Sequence, residues 1–137
     1  MPNILKIDHL AILVDDMDAA LDFWHSALGL EPSQVSEIPA EQSQIAFLPA
    51  GDSLIELVRP TSEDSGLKRY LEKRGPGMHH VCLQVDDIVG LLAHLKEKGV
   101  RLINEEPRMG EDGRKYAFVH PKSAFGVMIE LYELPSD

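Results

Sequence analysis

The sequence predicts an α+β fold made of two copies of one βαβββ module. The main observation is an internal repeat, in which residues 7–16 (IDHLAILVDD) return without a gap as residues 78–87 (MHHVCLQVDD). A second pair follows the first, because residues 53–57 (SLIEL) return as residues 127–131 (VMIEL). Repeated segments in the same order indicate that one structural unit has been duplicated.

Length and composition favour a small globular protein. A chain of 137 residues can bury one core, so we expect a single domain over residues 1–137, with module one at about 1–66 and module two at about 75–137. The net charge of -10 and the lack of a Lys/Arg run argue against nucleic acid or a membrane surface as partner. With one cysteine and no signal-like or bilayer-spanning apolar segment, the predicted location is cytoplasmic.

Each module is predicted to begin with a strand and a helix. Residues 7–14 and 78–85 have the length and composition of strands. Apolar residues then recur at helical spacing over residues 17–28 and 88–95, each time after two aspartates that can cap a helix, and Gly29 and Gly99 follow as terminators.

The rest of each module is predicted to be strands joined by turns. These strands lie at residues 44–48, 54–58, 116–119 and 127–131. A short amphipathic segment, residues 67–74, is interpreted as the linker between the modules, because Gly75, Pro76 and Gly77 follow it.

Alternation along the strands separates two faces. One face of the two opening strands is aliphatic and suits packing beneath a helix: Leu10, Ile12, Val14, Val81, Leu83 and Val85. The other face is mixed, with His9, Ala11 and Leu13 in the first copy and His80, Cys82 and Gln84 in the second. By the same alternation, Glu56 and Glu130 fall on the face opposite to their aliphatic neighbours, which predicts that they share the histidine face.

Two histidines and two glutamates on one face predict a metal site, because buried carboxylates are costly unless a cation or hydrogen bonds compensate them. A single histidine is usually only a hydrogen-bonded residue, and a single glutamate often faces water at a sheet edge. Their joint repetition favours the metal interpretation. His79, of opposite parity, is expected to be structural, Cys82 to be a core residue, and His25, His94 and His120 to lie in surface or loop positions.

The repeated motifs resemble the vicinal oxygen chelate superfamily, which includes the glyoxalases. Within it, the chain is most similar to the methylmalonyl-CoA epimerase family, and the resemblance covers essentially the whole chain. The motifs that carry it are DHLA (8–11), IEL (55–57), GMHHVC (77–82), VDDI (85–88), HPKS (120–123) and GVMIEL (126–131). The resemblance implies a curved mixed sheet around a metal site.

The resemblance also implies a metal-dependent epimerisation. The cofactor would be a divalent ion, cobalt first and nickel, zinc or manganese as alternatives, with His9, Glu56, His80 and Glu130 as ligands. It would polarise the substrate's thioester carbonyl and stabilise the enolate formed when the α-proton leaves. The implied partners are an acyl-CoA substrate and a second copy of the chain in a homodimer.

Further residue roles follow from the same resemblance. Glu130 would act as one acid/base, and Lys122 would bind a substrate carboxylate or phosphate, with Lys73 and Arg74 nearer the nucleotide end. Some family members have a glutamate on the strand before Glu56 as the opposite base, and alignment places Ala46 there. Glu41, Glu56 or a water molecule are the alternatives for that role.

Two other functions remain open at this stage. One is a glyoxalase-type isomerase acting on a thiol adduct of methylglyoxal, in the manner of lactoylglutathione lyase. The other is a small-molecule binding protein without catalysis. Binding-only members of the superfamily generally lack the full ligand set, so the four ligands disfavour the second alternative.

Overall fold

The structure is a computed structural model, and it describes residues 1–110 and 112–136. Module one comprises β1 (Ile4–Leu13), α1 (Met17–Leu21), β2 (Ser36–Ile38), β3 (Ser43–Ala50) and β4 (Ser53–Pro60). Helix α2 (Gly66–Arg74) follows in the chain. Module two comprises β5 (Gly77–Val85), α3 (Ile88–Glu97), β6 (Arg108–Met109), β7 (Lys115–Val119) and β8 (Ile129–Glu133). The predicted βαβββ order is confirmed in both modules.

The chain divides into two compact units whose boundaries fall inside strands. The first unit is His9–His79, and the second unit is Met1–Asp8 together with His80–Asp137. The N-terminal part of β1 therefore belongs with the second module. No helix in the described part of the chain is long and apolar enough to cross a bilayer.

In the first unit, the sheet order β2-β3-β4-β1 ends in a parallel pair. Strand β1 runs parallel to β4, with His9 opposite Leu54 and Ala11 opposite Glu56, while β3 is antiparallel to both β2 and β4. The aliphatic face of this sheet packs beneath α1 in a core cluster of Val14, Met17, Ala46, Leu48 and Leu57, with Ile12 and Ile55 at its margin. The predicted helix-facing side of the first module is thus confirmed.

The second unit repeats the arrangement. Strand β5 runs parallel to β8, with Cys82 opposite Glu130, and β7 is antiparallel to both β8 and β6. Its core lies between this sheet and α3, and consists of Val85, Ile88, Leu91, Leu92, Ala117, Val119 and Leu131. Both units therefore place a glutamate strand parallel to a histidine strand.

The first predicted helix is not α-helical throughout. Beyond Leu21 it continues as a π-helix over Asp22–Ala27, in which the Leu28 amide donates to the Phe23 carbonyl. The wider turn keeps Trp24 at the core, whereas Leu28, expected on the same apolar stripe, is exposed. The prediction for Leu28 was wrong because α-helical spacing does not hold across a π turn.

The segment expected to be a linker is a packed helix. Ser65 caps α2 by accepting a hydrogen bond from the Lys68 amide at 3.0 Å. Its buried Leu71 joins Ala11, Leu13 and Val58 in a core cluster on the side of the sheet away from α1. Ala11 and Leu13, predicted on the mixed face with His9, are thus covered by α2.

Asp86 anchors the N-terminus, which predicts a pH-dependent contribution to stability. The backbone and side-chain amides of Asn3 donate to the Asp86 carboxylate at 2.8 and 2.9 Å, and these bonds lower its pKa below the ordinary value of 3.8. A carboxylate whose pKa is lower in the folded state than in the unfolded state stabilises the protein above pH 3.8. This stabilisation is lost as the pH falls through the folded-state pKa. Asn3→Ala, which removes the side-chain donor, should therefore lower Tm more at pH 7 than at pH 2.5.

Thermal unfolding followed by circular dichroism at the two pH values measures this difference. Asp15→Asn is the matched control, since Asp15 is the repeat equivalent of Asp86 and no such side-chain pair is found for it among the described residues. An equal loss of Tm at both pH values for Asn3→Ala would contradict the linkage.

Candidate metal centre

In the first unit, His9 and Glu56 face each other on neighbouring parallel strands. The imidazole Nε2 lies 3.7 Å from Glu56 Oε1, and the two side chains are only 10% and 13% exposed. Glu56 lies beside Ala11, whose methyl group leaves room for the carboxylate to turn toward the imidazole. Strand pairing thus produces a buried nitrogen and oxygen donor pair.

The second unit contains the equivalent pair. His80 Nε2 lies 3.0 Å from Glu130 Oε1, with side-chain exposures of 10% and 17%. Glu130 lies beside Cys82, which occupies the position of Ala11 in the repeat. Cys82 is fully buried in the core, as the sequence predicted. Its small side chain again leaves space beside the carboxylate.

Each pair also has a phenylalanine that the sequence analysis missed. Phe47 lies opposite Glu56 and its ring meets His9 edge-on, with centroids 6.2 Å apart. Phe118 lies opposite Glu130 and meets His80 in the same way at 5.7 Å. The signal was available, because residues 45–48 (IAFL) return as residues 116–119 (YAFV).

The donor chemistry of the two pairs fits a divalent metal. Each pair offers one imidazole nitrogen and one carboxylate oxygen, the ligand types that zinc, cobalt, nickel and manganese share. A carboxylate so little exposed is costly unless a cation or a donor compensates it. An imidazolium–carboxylate pair in each unit would also meet that need, but a metal meets it without requiring protonated histidines.

The position of Ala46 changes the interpretation of the missing glutamate. Ala46 is opposite Leu57 and lies in the core cluster beneath α1, whereas its neighbour Phe47 is opposite Glu56. A glutamate at position 46 in this register would point toward α1. The alanine is therefore a core residue here, and the expectation that it marks the place of a lost base was wrong.

Lys122 and Glu41, the other residues predicted to serve the site, lie outside the two His–Glu pairs. Lys122 is exposed in a short 3-10 helix, Pro121–Ala124, between β7 and β8, and Glu41 is exposed in another, Pro39–Glu41. His79 packs edge-on against Tyr70 of α2 with centroids 4.7 Å apart, which agrees with its expected structural role. The Arg74 guanidinium lies 4.9 Å from the centroid of the same Tyr70 ring.

A buried polar contact links β1 to β8 within the second unit. The Tyr132 hydroxyl donates to Asp8 Oδ1 at 3.1 Å, and both residues are buried. Burial raises the pKa of Tyr132, so it keeps its proton at neutral pH. Arg114 lies over the Tyr132 ring at 5.2 Å and forms an ion pair with Asp112. The hydrogen bond from Tyr132 thus holds Asp8, the residue that precedes His9, in place.

Comparison with known proteins finds relatives over most of the chain. Residues 8–118 match the family model described as the glyoxalase/bleomycin resistance protein/dioxygenase superfamily. The mitochondrial methylmalonyl-CoA epimerase of Homo sapiens is 35% identical over 94% of this chain and 74% of its own.

Solved structures agree in fold. A hypothetical protein from Bacillus halodurans superposes with a TM-score of 0.89, at 39% identity and 96% coverage of both chains. The Streptomyces coelicolor methylmalonyl-CoA epimerase, in complex with 2-nitronate-propionyl-CoA, superposes with a TM-score of 0.85 at 32% identity, covering 98% of this chain and 97% of that one.

Tyr132→Phe tests the buried contact. The change keeps the ring but removes the donor to a buried carboxylate, so unfolding should become easier by about 1–3 kcal/mol. Urea denaturation measures the loss, and Tyr116→Phe, the cross-strand partner of Tyr132, is the control expected to cost less. Equal effects of the two changes would show that the Asp8 contact contributes nothing specific.

Proposed function

Since this chain belongs to the glyoxalase/bleomycin resistance protein/dioxygenase superfamily, we propose that it epimerises methylmalonyl-CoA, removing the α-proton from one face of the substrate and returning a proton to the other. The observation that carries this proposal is the repeated, buried His–Glu pair, His9 with Glu56 and His80 with Glu130. The Streptomyces coelicolor methylmalonyl-CoA epimerase shares this chain's length and fold, and the human enzyme is 35% identical over 94% of this chain, which supports epimerase activity over the other chemistries of the superfamily.

The proposed metal ligands are His9, Glu56, His80 and Glu130. Each pair alone gives one nitrogen and one oxygen donor, and two such pairs would leave open positions on a six-coordinate ion for substrate oxygens. The bound ion would polarise the thioester carbonyl and stabilise the negative charge that develops as the α-proton leaves. Cobalt is the proposed ion, with nickel, zinc or manganese as alternatives.

Two acid/base groups are needed, because inversion uses opposite faces of the α-carbon. We assign one role to Glu130. For the other, Glu56 is favoured over Glu41, since Glu56 occupies the equivalent position in the repeat and its side chain is only 13% exposed, whereas Glu41 is exposed.

The remaining assignments concern partners. Lys122 is proposed to bind an anionic group of the acyl-CoA, since it is an exposed cation on the turn that leads into the Glu130 strand. The homodimer, the cytoplasmic location and a role in propionate metabolism stay predictions.

The decisive experiment follows both exchange and inversion. Cobalt-loaded protein is incubated in deuterated water with each epimer of methylmalonyl-CoA in turn, and deuterium at the α-carbon is measured beside formation of the opposite epimer. We expect rapid exchange with inversion, lost on chelation and restored by cobalt. Glu130→Gln and Glu56→Gln should each block inversion by about 10²–10⁴-fold, and each should retain exchange from only one epimer.

Controls separate the competing functions. Metal content is measured in every sample, so that loss of a base is distinguished from loss of a ligand. The hemithioacetal of methylglyoxal and glutathione is offered as the alternative substrate. Turnover of that adduct without exchange of methylmalonyl-CoA would replace the epimerase by a glyoxalase-type isomerase, and binding without turnover of either substrate would indicate a binding protein.

The metal ligands and their phenylalanines give a separate prediction. His80→Ala should abolish tight cobalt binding, whereas Phe118→Leu and Phe47→Leu should each weaken it about tenfold, as loss of groups that orient a ligand does. The cobalt absorption spectrum measures affinity during titration. Phe23→Leu, an exposed phenylalanine outside both pairs, is the matched control. Unchanged affinity in Phe118→Leu would show that the ring does not orient His80.

A further inference from the structure

The turn between β7 and β8 brings three basic side chains together. The His120 amide donates to the Arg101 carbonyl at 2.9 Å, and the Arg101 amide donates to Ser123 Oγ at 2.8 Å. Lys122 follows directly, and its amide donates to His120 Nδ1 at 3.0 Å. Arg101 and Lys122 are both exposed. The hydrogen bonds therefore hold the backbones of two exposed cations close to that of one histidine.

These cations are unusual in an acidic chain. The protein has 23 acidic and 13 basic residues, yet within residues 1–110 and 112–136 no ion pair joins Arg101 or Lys122 to a carboxylate. Partial burial and the charges of Arg101 and Lys122 lower the pKa of His120. Because His120 Nδ1 accepts a hydrogen bond, the neutral ring carries its proton on Nε2, which leaves a further donor. The turn thus offers several donors and a local positive potential.

An exposed aromatic ring lies on the same turn. Phe125 has a φ of 56°, the left-handed region that non-glycine residues seldom adopt, and its side chain is fully exposed. Gly126, which adopts this region without strain, is the next residue. A bulky residue held at a positive φ is strained, and such strain concentrates at functional sites.

The turn borders the metal-ligand pair of its own unit. It begins two residues after Phe118, whose ring meets His80, and the strand that follows it carries Glu130. The other cation pair suggested for a nucleotide, Lys73 with Arg74, is less suitable, because Arg74 lies over the Tyr70 ring and donates to its hydroxyl at 3.4 Å.

We propose that Arg101, His120, Lys122 and Phe125 form a subsite for a phosphorylated nucleotide, in which the basic residues bind phosphate oxygens and the Phe125 ring stacks on the base. The inference rests on the proposed function, because it assigns this subsite to the nucleotide end of the acyl-CoA substrate. Cationic and planar aromatic groups together are the chemistry that recognises nucleotides in a sequence-independent way.

The test uses propionyl-CoA, which lacks the second carboxylate, and propionyl-pantetheine, which also lacks the nucleotide. Isothermal titration of the cobalt-loaded protein measures both affinities for the Arg101→Gln, Lys122→Gln and Phe125→Gly variants. Glycine suits a positive φ, so Phe125→Gly should fold at least as well as the unmodified chain. Each variant should weaken propionyl-CoA binding about tenfold, as loss of stacking or of a phosphate contact does, and leave propionyl-pantetheine unchanged.

Two variants are matched controls: Arg108→Gln changes an exposed cation of the same unit, and Phe23→Ala changes an exposed phenylalanine of the first unit. Neither should change the affinity for propionyl-CoA or for propionyl-pantetheine. Unchanged propionyl-CoA binding in all three variants, with binding by the unmodified protein intact, would overturn the subsite and leave the epimerase proposal standing. A shift from dimer to monomer in Phe125→Gly without loss of affinity would assign the ring to a protein interface and overturn the subsite too. No binding of propionyl-CoA by the unmodified protein would overturn both proposals.

Discussion

The burial of one carboxylate in each repeat is the constraint on which the other features of the two units depend. A carboxylate withdrawn from water needs a compensating partner, and the parallel pairing of a histidine strand with a glutamate strand supplies an imidazole in each unit. The residue directly beside each glutamate is small, Ala11 in one unit and Cys82 in the other. A larger side chain at either position would occupy the space into which the carboxylate turns.

The parts of the site that follow strand alternation could be predicted from the sequence. A strand fixes which neighbours share a face, so placing Ile55 and Leu57 in the core also determined the face of Glu56. The internal repeat then gave each assignment a second, independent copy. Phe47 and Phe118 were not predicted as site residues, because a phenyl ring neither titrates nor binds a metal.

Features set by packing between elements could not be predicted in this way. The amphipathic stretch of α2 was recognised, but alternation in β1 does not show that Leu71 would cover Ala11 and Leu13. The π turn after Leu21 likewise depends on how Trp24 meets the core, which residue spacing alone does not specify. The alignment that singled out Ala46 depended on counting along a strand, where an error of one residue reverses the face.

The contact between Tyr132 and Asp8 has a consequence for how the chain folds. It joins residues 124 positions apart, and the first strand's opening residues belong to a unit otherwise formed by the second half of the chain. Contacts so distant in sequence close late, because the entropy of a long loop is lost before they are formed. On the ribosome, Asp8 must wait for β8 to emerge before this contact can form, so the N-terminal segment lacks it until that strand has been synthesised.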